Sequence, residues 1–224
     1  MKILAVDTSA VVASCAIVDD EKLIGELTVN NKLTHSQNLM PMIDRLLKDT
    51  ECSLDEIDLF AAATGPGSYT GLRIGAATVK GLARGMNKKV IGINTLEALA
   101  FRLAHCEHLI TPLMDARKNR VFTATYLWED GEMREVSEPC VTTIEECVND
   151  CGNFLDTVFT GDGSVLHKEF IKEKLGEHAF FAPVSNSLQS AAAVAALAYM
   201  KKDEAVNPEE LVPVYIGRTQ GDKL

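Results

Sequence analysis

The stretch LFAAATGPGS, residues 59–68, joins a short apolar run to a glycine-rich turn, and a similar stretch returns later in the chain. Residues 156–164 read DTVFTGDGS, which again leads from an apolar run into the pattern T-G-x-G-S. A short apolar run that ends in glycines is typical of a buried strand that leads into a turn. The repetition therefore predicts two related strand–turn–helix segments in one chain.

A second pair of related segments precedes these two stretches, in the same order. KILAVD and LITPLMDA are apolar runs that reach an aspartate, Asp7 in the first and Asp115 in the second. Each is followed by another apolar run and by a polar turn, DDEK or EDGE. Two matches in the same order indicate an internal duplication. We expect an α/β fold of two similar lobes, each in the order βββαβα with its first three strands antiparallel and helices flanking the sheet.

The expected lobes cover residues 1–106 and 107–224, and the second is the more degenerate copy. Periodic apolar residues predict helices over residues 36–50 and 69–86, with Ser36 as the N-cap of the first. An alanine-rich helix is expected over residues 187–202, near the lobe junction. This helix and the tail that follows are the part of the second lobe expected to pack back on the first.

Composition restricts the classes of function. The chain has 224 residues and a net charge of −10, which argues against a protein that grips nucleic acid alone, because such binding depends on clustered Lys and Arg. The six cysteines form no CxxC pair, and no apolar run reaches the ~18 residues of a membrane span. We expect reduced thiols and a cytoplasmic protein. The four-residue spacing of Cys147 and Cys151 is compatible with a metal site on one helix face, but thiols that bind no metal are favoured.

Polar residues and glycines at the predicted strand ends form a candidate nucleotide or anion site between the lobes. Its members are Asp7, Thr8, Ser9, Gly65, Gly67 and Asp115. In a phosphotransferase of this layout, the carboxylates would hold Mg²⁺ and the glycine turn would bind phosphates. Capping of turns is the alternative for both aspartates. The cations around Asp115 favour capping there, whereas Asp7 fits either role equally. A structural turn is favoured at the glycines, because no GK[ST] follows.

Glycines inside the second predicted helix need a different explanation. Gly71 and Gly75 are four residues apart, as are Gly81 and Gly85. Each glycine costs the helix about 1 kcal/mol relative to alanine. Small residues at this spacing let another helix approach closely, so we expect a partner surface on the two predicted helices. The expected interface residues are Leu39, Met40, Met42, Ile43, Gly71, Leu72, Gly75, Val79 and Leu82.

Five segments together resemble one protein family. They are ILAVDTS, THSQNLMPMIDRLL, GPGSYTGLRIGAATVKGLA, PLMDARKNRVF and VPVYIGR. The chain resembles the TsaB (YeaZ) family of tRNA threonylcarbamoyladenosine biosynthesis proteins from end to end, most strongly over its first 120 or so residues. The resemblance implies an actin-like, sugar-kinase-like fold of the ASKHA, ribonuclease H-like kind, in agreement with the duplicated lobes.

The resemblance also implies a role without catalysis. The related transferase TsaD binds a metal through two histidines, and the matching positions here are Thr95 and Leu99. We therefore expect no catalytic residue, no metal and no cofactor, apart from weak ATP or ADP binding at a vestigial site. The family implies a scaffold that pairs with TsaD through the two helices, is joined by the ATPase TsaE, and forms a homodimer when alone. Binding of tRNA would then occur only through the complex, which modifies tRNAs that read codons beginning with A. The alternative is an autonomous ATP-dependent phosphotransferase of the sugar-kinase kind.

Overall fold

The computed structural model describes residues 1–31, 34–151 and 155–216. Two compact units are present, the first made of Met1–Ala98 with Gln189–Val214 and the second including Leu99–Leu188. The division therefore falls inside a helix at residues 95–101 rather than after residue 106, and the alanine-rich helix lies in the first unit. The last two residues of the segment VPVYIGR lie outside the described residues.

The first unit has a five-stranded mixed sheet with the strand order β3-β2-β1-β4-β5. Its strands are β1 (Lys2–Asp7), β2 (Ala13–Asp19), β3 (Lys22–Val29), β4 (Leu59–Gly65) and β5 (Lys89–Asn94). Its helices are α1 (His35–Asp49), α2 (Tyr69–Met86), the start of α3 (Thr95–Phe101) and α7 (Ala191–Met200). Strands β1, β2 and β3 are antiparallel neighbours, whereas β1, β4 and β5 run parallel.

The second unit repeats this topology. Its strands are β6 (Leu109–Asp115), β7 (Arg120–Glu129), β8 (Glu132–Thr143), β9 (Thr157–Thr160) and β10 (Ala179–Phe181), and its helices are α4 (Ile144–Cys151), α5 (Asp162–Leu166) and α6 (Lys168–Leu175). The strand order β8-β7-β6-β9-β10 matches that of the first sheet, and the strand directions match as well. The predicted duplication and the α/β class are confirmed.

Helix boundaries follow the capping residues. The helix α2 begins after Ser68, whose side chain accepts a hydrogen bond from the Gly71 amide, and covers the predicted range. The expected N-cap Ser36 of α1 is wrong: Thr34 caps the helix, because it forms a capping box with Gln37. The alanine-rich helix is shorter than expected, since it begins only after its own N-cap Ser190.

The core of the first unit explains why α1 and α2 lie side by side. Buried residues of both helices pack with Leu4 and Val6 of β1 and with Phe60 of β4 on one face of the sheet. The helix α7 contacts strands β1, β2 and β4 through residues outside this cluster. It is therefore placed on the other face, which makes the unit a helix–sheet–helix sandwich.

Glu26 of β3 attaches α7 to the first sheet. Its Oε1 accepts hydrogen bonds from the Ser190 hydroxyl at 2.7 Å, the Ala192 amide at 3.1 Å and the Ser14 hydroxyl at 3.1 Å. A carboxylate at a helix N-terminus is favoured by the free amides and by the helix dipole. Although α7 is apolar, neither it nor any other helix within the described residues is long and apolar enough to cross a membrane.

Candidate functional site

Asp7 ends strand β1 at the carboxyl edge of the parallel strands, where ligands of open α/β sheets bind. Its side chain is only 1% exposed. Oδ1 accepts hydrogen bonds from the Ser9 amide at 2.9 Å and the Ser9 hydroxyl at 2.6 Å, whereas Oδ2 has no partner among the described residues. Burial raises the pKa of Asp7 to about 6, and the Ser9 hydrogen bonds oppose that rise. Asp7 therefore caps the turn that follows β1 while one carboxylate oxygen stays unsatisfied.

The glycine turn after β4 is occupied by the protein's own backbone. Gly65 and Gly67 both have positive φ, and a Cβ at either would overlap a carbonyl oxygen, that of Val214 at Gly65 and that of Ser9 at Gly67. The Ser68 amide donates to the Ser9 carbonyl at 2.6 Å, and the Val214 amide donates to the Thr64 carbonyl at 2.7 Å. Carbonyl oxygens repel phosphate, so this arrangement favours the structural turn, which the sequence analysis also favoured over an anion site.

Gly71 and Gly75 serve the fold of the first unit, and the expectation that they face a partner is wrong. A Cβ at Gly71 would overlap the Thr8 carbonyl oxygen, and a Cβ at Gly75 would lie 2.6 Å from Thr8 Oγ1. The Thr8 hydroxyl donates to the Gly71 carbonyl at 2.8 Å, which fixes α2 against the turn after β1. In contrast, Cβ atoms at Gly81 and Gly85 would meet no atom within 4 Å, so these two glycines are on the open face of α2.

In the second unit, the exposed Asp115 occupies the position equivalent to Asp7. Its Oδ1 accepts a hydrogen bond of 2.7 Å from the Arg117 amide, so it caps the β6–β7 hairpin, as the neighbouring cations had favoured. Arg117, Lys118 and Asn119 all have left-handed φ angles, of 62°, 55° and 58°. A non-glycine residue in this region costs roughly 1–2 kcal/mol, so three in succession make a strained turn.

Cys147 and Cys151 lie one turn apart on α4, as predicted. The hydrogen bond between their thiols raises the pKa of Cys147 and lowers that of Cys151, so Cys147 keeps its proton. Cys147 is buried, and burial also raises the pKa of Cys140 on β8. Within the described part of the chain, no group of three His, Cys, Asp or Glu side chains is arranged to hold a metal ion.

Known proteins with similar sequences identify the family. The model of TsaD, described as tRNA N6-adenosine threonylcarbamoyltransferase, matches residues 24–220. The tRNA threonylcarbamoyladenosine biosynthesis protein TsaB of Bacillus subtilis (strain 168) is 32% identical over 96% of this chain and 94% of its own length. The chain belongs to the TsaB family. A second TsaB protein, from Haemophilus influenzae, is 32% identical over 96% of this chain and 93% of its own length.

Solved structures agree with the TsaB assignment and define the fold class. YeaZ from Pseudomonas aeruginosa superimposes with a TM-score of 0.79 at 26% identity and covers 96% of this chain and 99% of its own. The ROK hexokinase from Thermus thermophilus shares the fold alone, with a TM-score of 0.51 at 10% identity. The fold is therefore actin-like and sugar-kinase-like, as the resemblance implied.

In this TsaB-family chain, the positions that the resemblance implies to match the metal histidines of TsaD are both in the interior. Thr95 and Leu99 lie on α3 and are 0% and 1% exposed. Leucine has no lone pair to donate, and a lone threonine hydroxyl does not replace an imidazole ligand. The Thr95 hydroxyl has no hydrogen-bond partner among the described residues.

The burial pattern corrects the expected TsaB partner interface. Most of its expected apolar side chains are inside the first unit, and the buried ones are Leu39, Met42, Ile43, Leu72 and Val79. Met40 is 47% exposed and Leu82 is partly buried. Ala77, which the sequence interpretation missed, is exposed and continues the open face of Gly81 and Gly85 at four-residue intervals. On α1 and α2, the exposed surface includes this small-residue face and Met40.

Proposed function

We propose that the chain is a non-catalytic subunit that pairs with TsaD, and with TsaE, in the formation of threonylcarbamoyladenosine in tRNA. The observation that carries this proposal is the match to TsaB proteins over nearly the whole of this chain and of theirs. The role in tRNA modification is taken from the names of these relatives and of the TsaD family. It would place the protein in the cytoplasm, where tRNA is modified.

The absence of catalysis is the second element of the proposal. Thr95 and Leu99 stand at the positions implied to bind the metal of TsaD, and both are enclosed in the fold. No cofactor is assigned to the chain. The Gly65–Gly67 turn is filled by the carbonyls of Ser9 and Val214, which gives the alternative of an autonomous phosphotransferase no support.

The pairing surface is the third element. The open face of α2 presents Ala77, Gly81 and Gly85 in one stripe, and α1 packs beside it with Met40 exposed. Residues without large side chains let a partner helix approach to backbone distance, which increases van der Waals contact. We propose that a helix of TsaD lies on this face, and that a second copy of the chain lies there when TsaD is absent.

A matched pair of substitutions tests the pairing surface. Ala77→Glu adds a long charged side chain to the stripe, and Ala104→Glu makes the same change at an exposed alanine of the second unit. Purified variants are mixed with TsaD and analysed by size-exclusion chromatography with light scattering. We expect Ala77→Glu to lose the complex while it melts like the wild type, and Ala104→Glu to keep the complex. Unchanged complex formation by Ala77→Glu would refute this surface.

A further inference from the structure

The turn between β6 and β7 collects positive charge in an acidic chain. Arg117, Lys118 and Arg120 are next to the carboxylate Asp115, whereas the whole chain has 32 acidic and 22 basic residues. Arg117 and Lys118 are exposed, and Arg120 is partly buried. Asp115 accepts its hydrogen bond from the backbone amide of Arg117, so it stabilises the turn itself.

These cations form no ion pair among the described residues, whereas several other cations of the chain do. Lys88 pairs with Asp58 and Lys201 with Glu97. Within residues 1–31, 34–151 and 155–216, no ion pair includes a cation of the β6–β7 turn. An exposed cation without an internal partner is the group that exchanges its counterions for phosphates.

The backbone of this turn is held in its left-handed conformation from both ends. The Arg120 amide donates to the Arg117 carbonyl at 3.2 Å, and the Ala116 amide donates to the Arg120 carbonyl at 2.9 Å. The Asn119 carbonyl accepts the Ile144 amide at 2.9 Å, which fastens the turn to the start of α4. Strained backbone that is over-determined in this way is concentrated at binding and active sites. A turn already fixed also loses less conformational entropy when a ligand binds it.

We propose that Arg117 and Lys118 bind the phosphate backbone of RNA when the chain is part of its complex. The inference rests on the proposed function, which supplies tRNA as the ligand in preference to an acidic protein surface. Guanidinium and ammonium groups are the usual phosphate partners in such interfaces and position the RNA without reading its sequence. The net negative charge of the chain then limits RNA binding by the chain alone, and the turn adds its phosphate contacts to those of the partner protein.

The test uses the full chain assembled with TsaD and TsaE and an unmodified tRNA transcript as the probe. Its affinity is measured by fluorescence anisotropy over a salt series for the wild type and three double variants. Arg117→Ala with Lys118→Ala removes the cations, and Arg117→Lys with Lys118→Arg keeps the charge. Lys172→Ala with Lys174→Ala is the matched control, because both lysines are exposed on α6 of the same unit.

Loss of two phosphate contacts has a defined signature. We expect the Arg117/Lys118 alanine variant to bind tRNA about tenfold more weakly, with the slope of log K against log salt reduced by about 2. The charge-keeping variant and the α6 control should bind like the wild type. Wild-type affinity and slope in the alanine variant would overturn the proposal, and so would loss of its complex with TsaD, which would make the turn a protein contact. Failure of the wild-type chain to assemble with TsaD would instead refute the proposed function, and this inference with it.

Discussion

The two kinds of glycine in α2 should respond to the same substitution with opposite sign. At Gly71, a Cβ would overlap the backbone carbonyl of Thr8, and a backbone atom cannot swing aside. Overpacking of this kind costs about 1–3 kcal/mol, which exceeds the ~1 kcal/mol that alanine contributes to the helix. At Gly81, no atom lies within 4 Å of the Cβ position, so only the helix propensity changes. Gly71→Ala should therefore destabilise the fold, and Gly81→Ala should stabilise it by about 0.5–1 kcal/mol.

Urea unfolding followed by far-UV circular dichroism measures the change in the free energy of unfolding of both variants. In thermal unfolding, Tm should shift by roughly 2–4 °C per kcal/mol in a chain of this size. Gly75→Ala should be intermediate, because its Cβ would lie 2.6 Å from the Thr8 hydroxyl and would displace a buried hydrogen-bonded side chain. A Gly71→Ala protein as stable as Gly81→Ala would refute close packing of α2 on the turn after β1. A loss of stability in Gly81→Ala would refute the open face.

Two further predictions concern the edge of the first sheet. The pKa of Asp7 is about 6 in the fold against an ordinary value of 3.8. The unfolded chain therefore releases this proton at a lower pH than the folded chain, so the free energy of unfolding falls by up to ~3 kcal/mol as the pH rises from about 4 to about 6. Asp7→Asn should therefore gain stability relative to the wild type across that window in urea unfolding at several pH values, and a constant difference would contradict the buried carboxylate. Isothermal titration of the isolated chain with ATP and Mg²⁺ should show at most weak binding and no phosphoryl transfer to sugars, because carbonyls fill the glycine turn; tight binding would restore the phosphotransferase.

Local patterns were sufficient to predict most of the fold. The repeated strand–turn segments correspond to two sheets of the same topology, and α2 extends over the predicted residues because Ser68 and the apolar period agree. The predicted N-cap of α1 was wrong because Thr34 and Ser36 both carry a hydroxyl that can cap a helix. Only Thr34 has a glutamine three residues later, Gln37, which completes a capping box.

The candidate site was less predictable, because its contacts join distant parts of the chain. The sequence shows that Gly71 lowers the helix propensity of α2. The reason for a glycine at this position is its close contact with Thr8, 63 residues away, which the sequence does not show. The backbone that packs against Gly65 is that of Val214, and the carboxylate that holds the start of α7 is that of Glu26. The left-handed turn at residues 117–119 contains no glycine, so the sequence does not predict it.

Reconstitution of tRNA modification tests the central claim most directly. Threonylcarbamoyl-AMP and unmodified tRNA are incubated with the purified chain alone, with TsaD and TsaE alone, and with all three proteins, and the modified nucleoside is quantified by mass spectrometry. Because Thr95 and Leu99 supply no imidazole at the positions that the resemblance implies to bind the metal of TsaD, the chain alone should form no product. The full set should form product, and omission of the chain should abolish or strongly reduce it. Product formed by the chain alone at a rate near that of the full set would contradict a non-catalytic subunit.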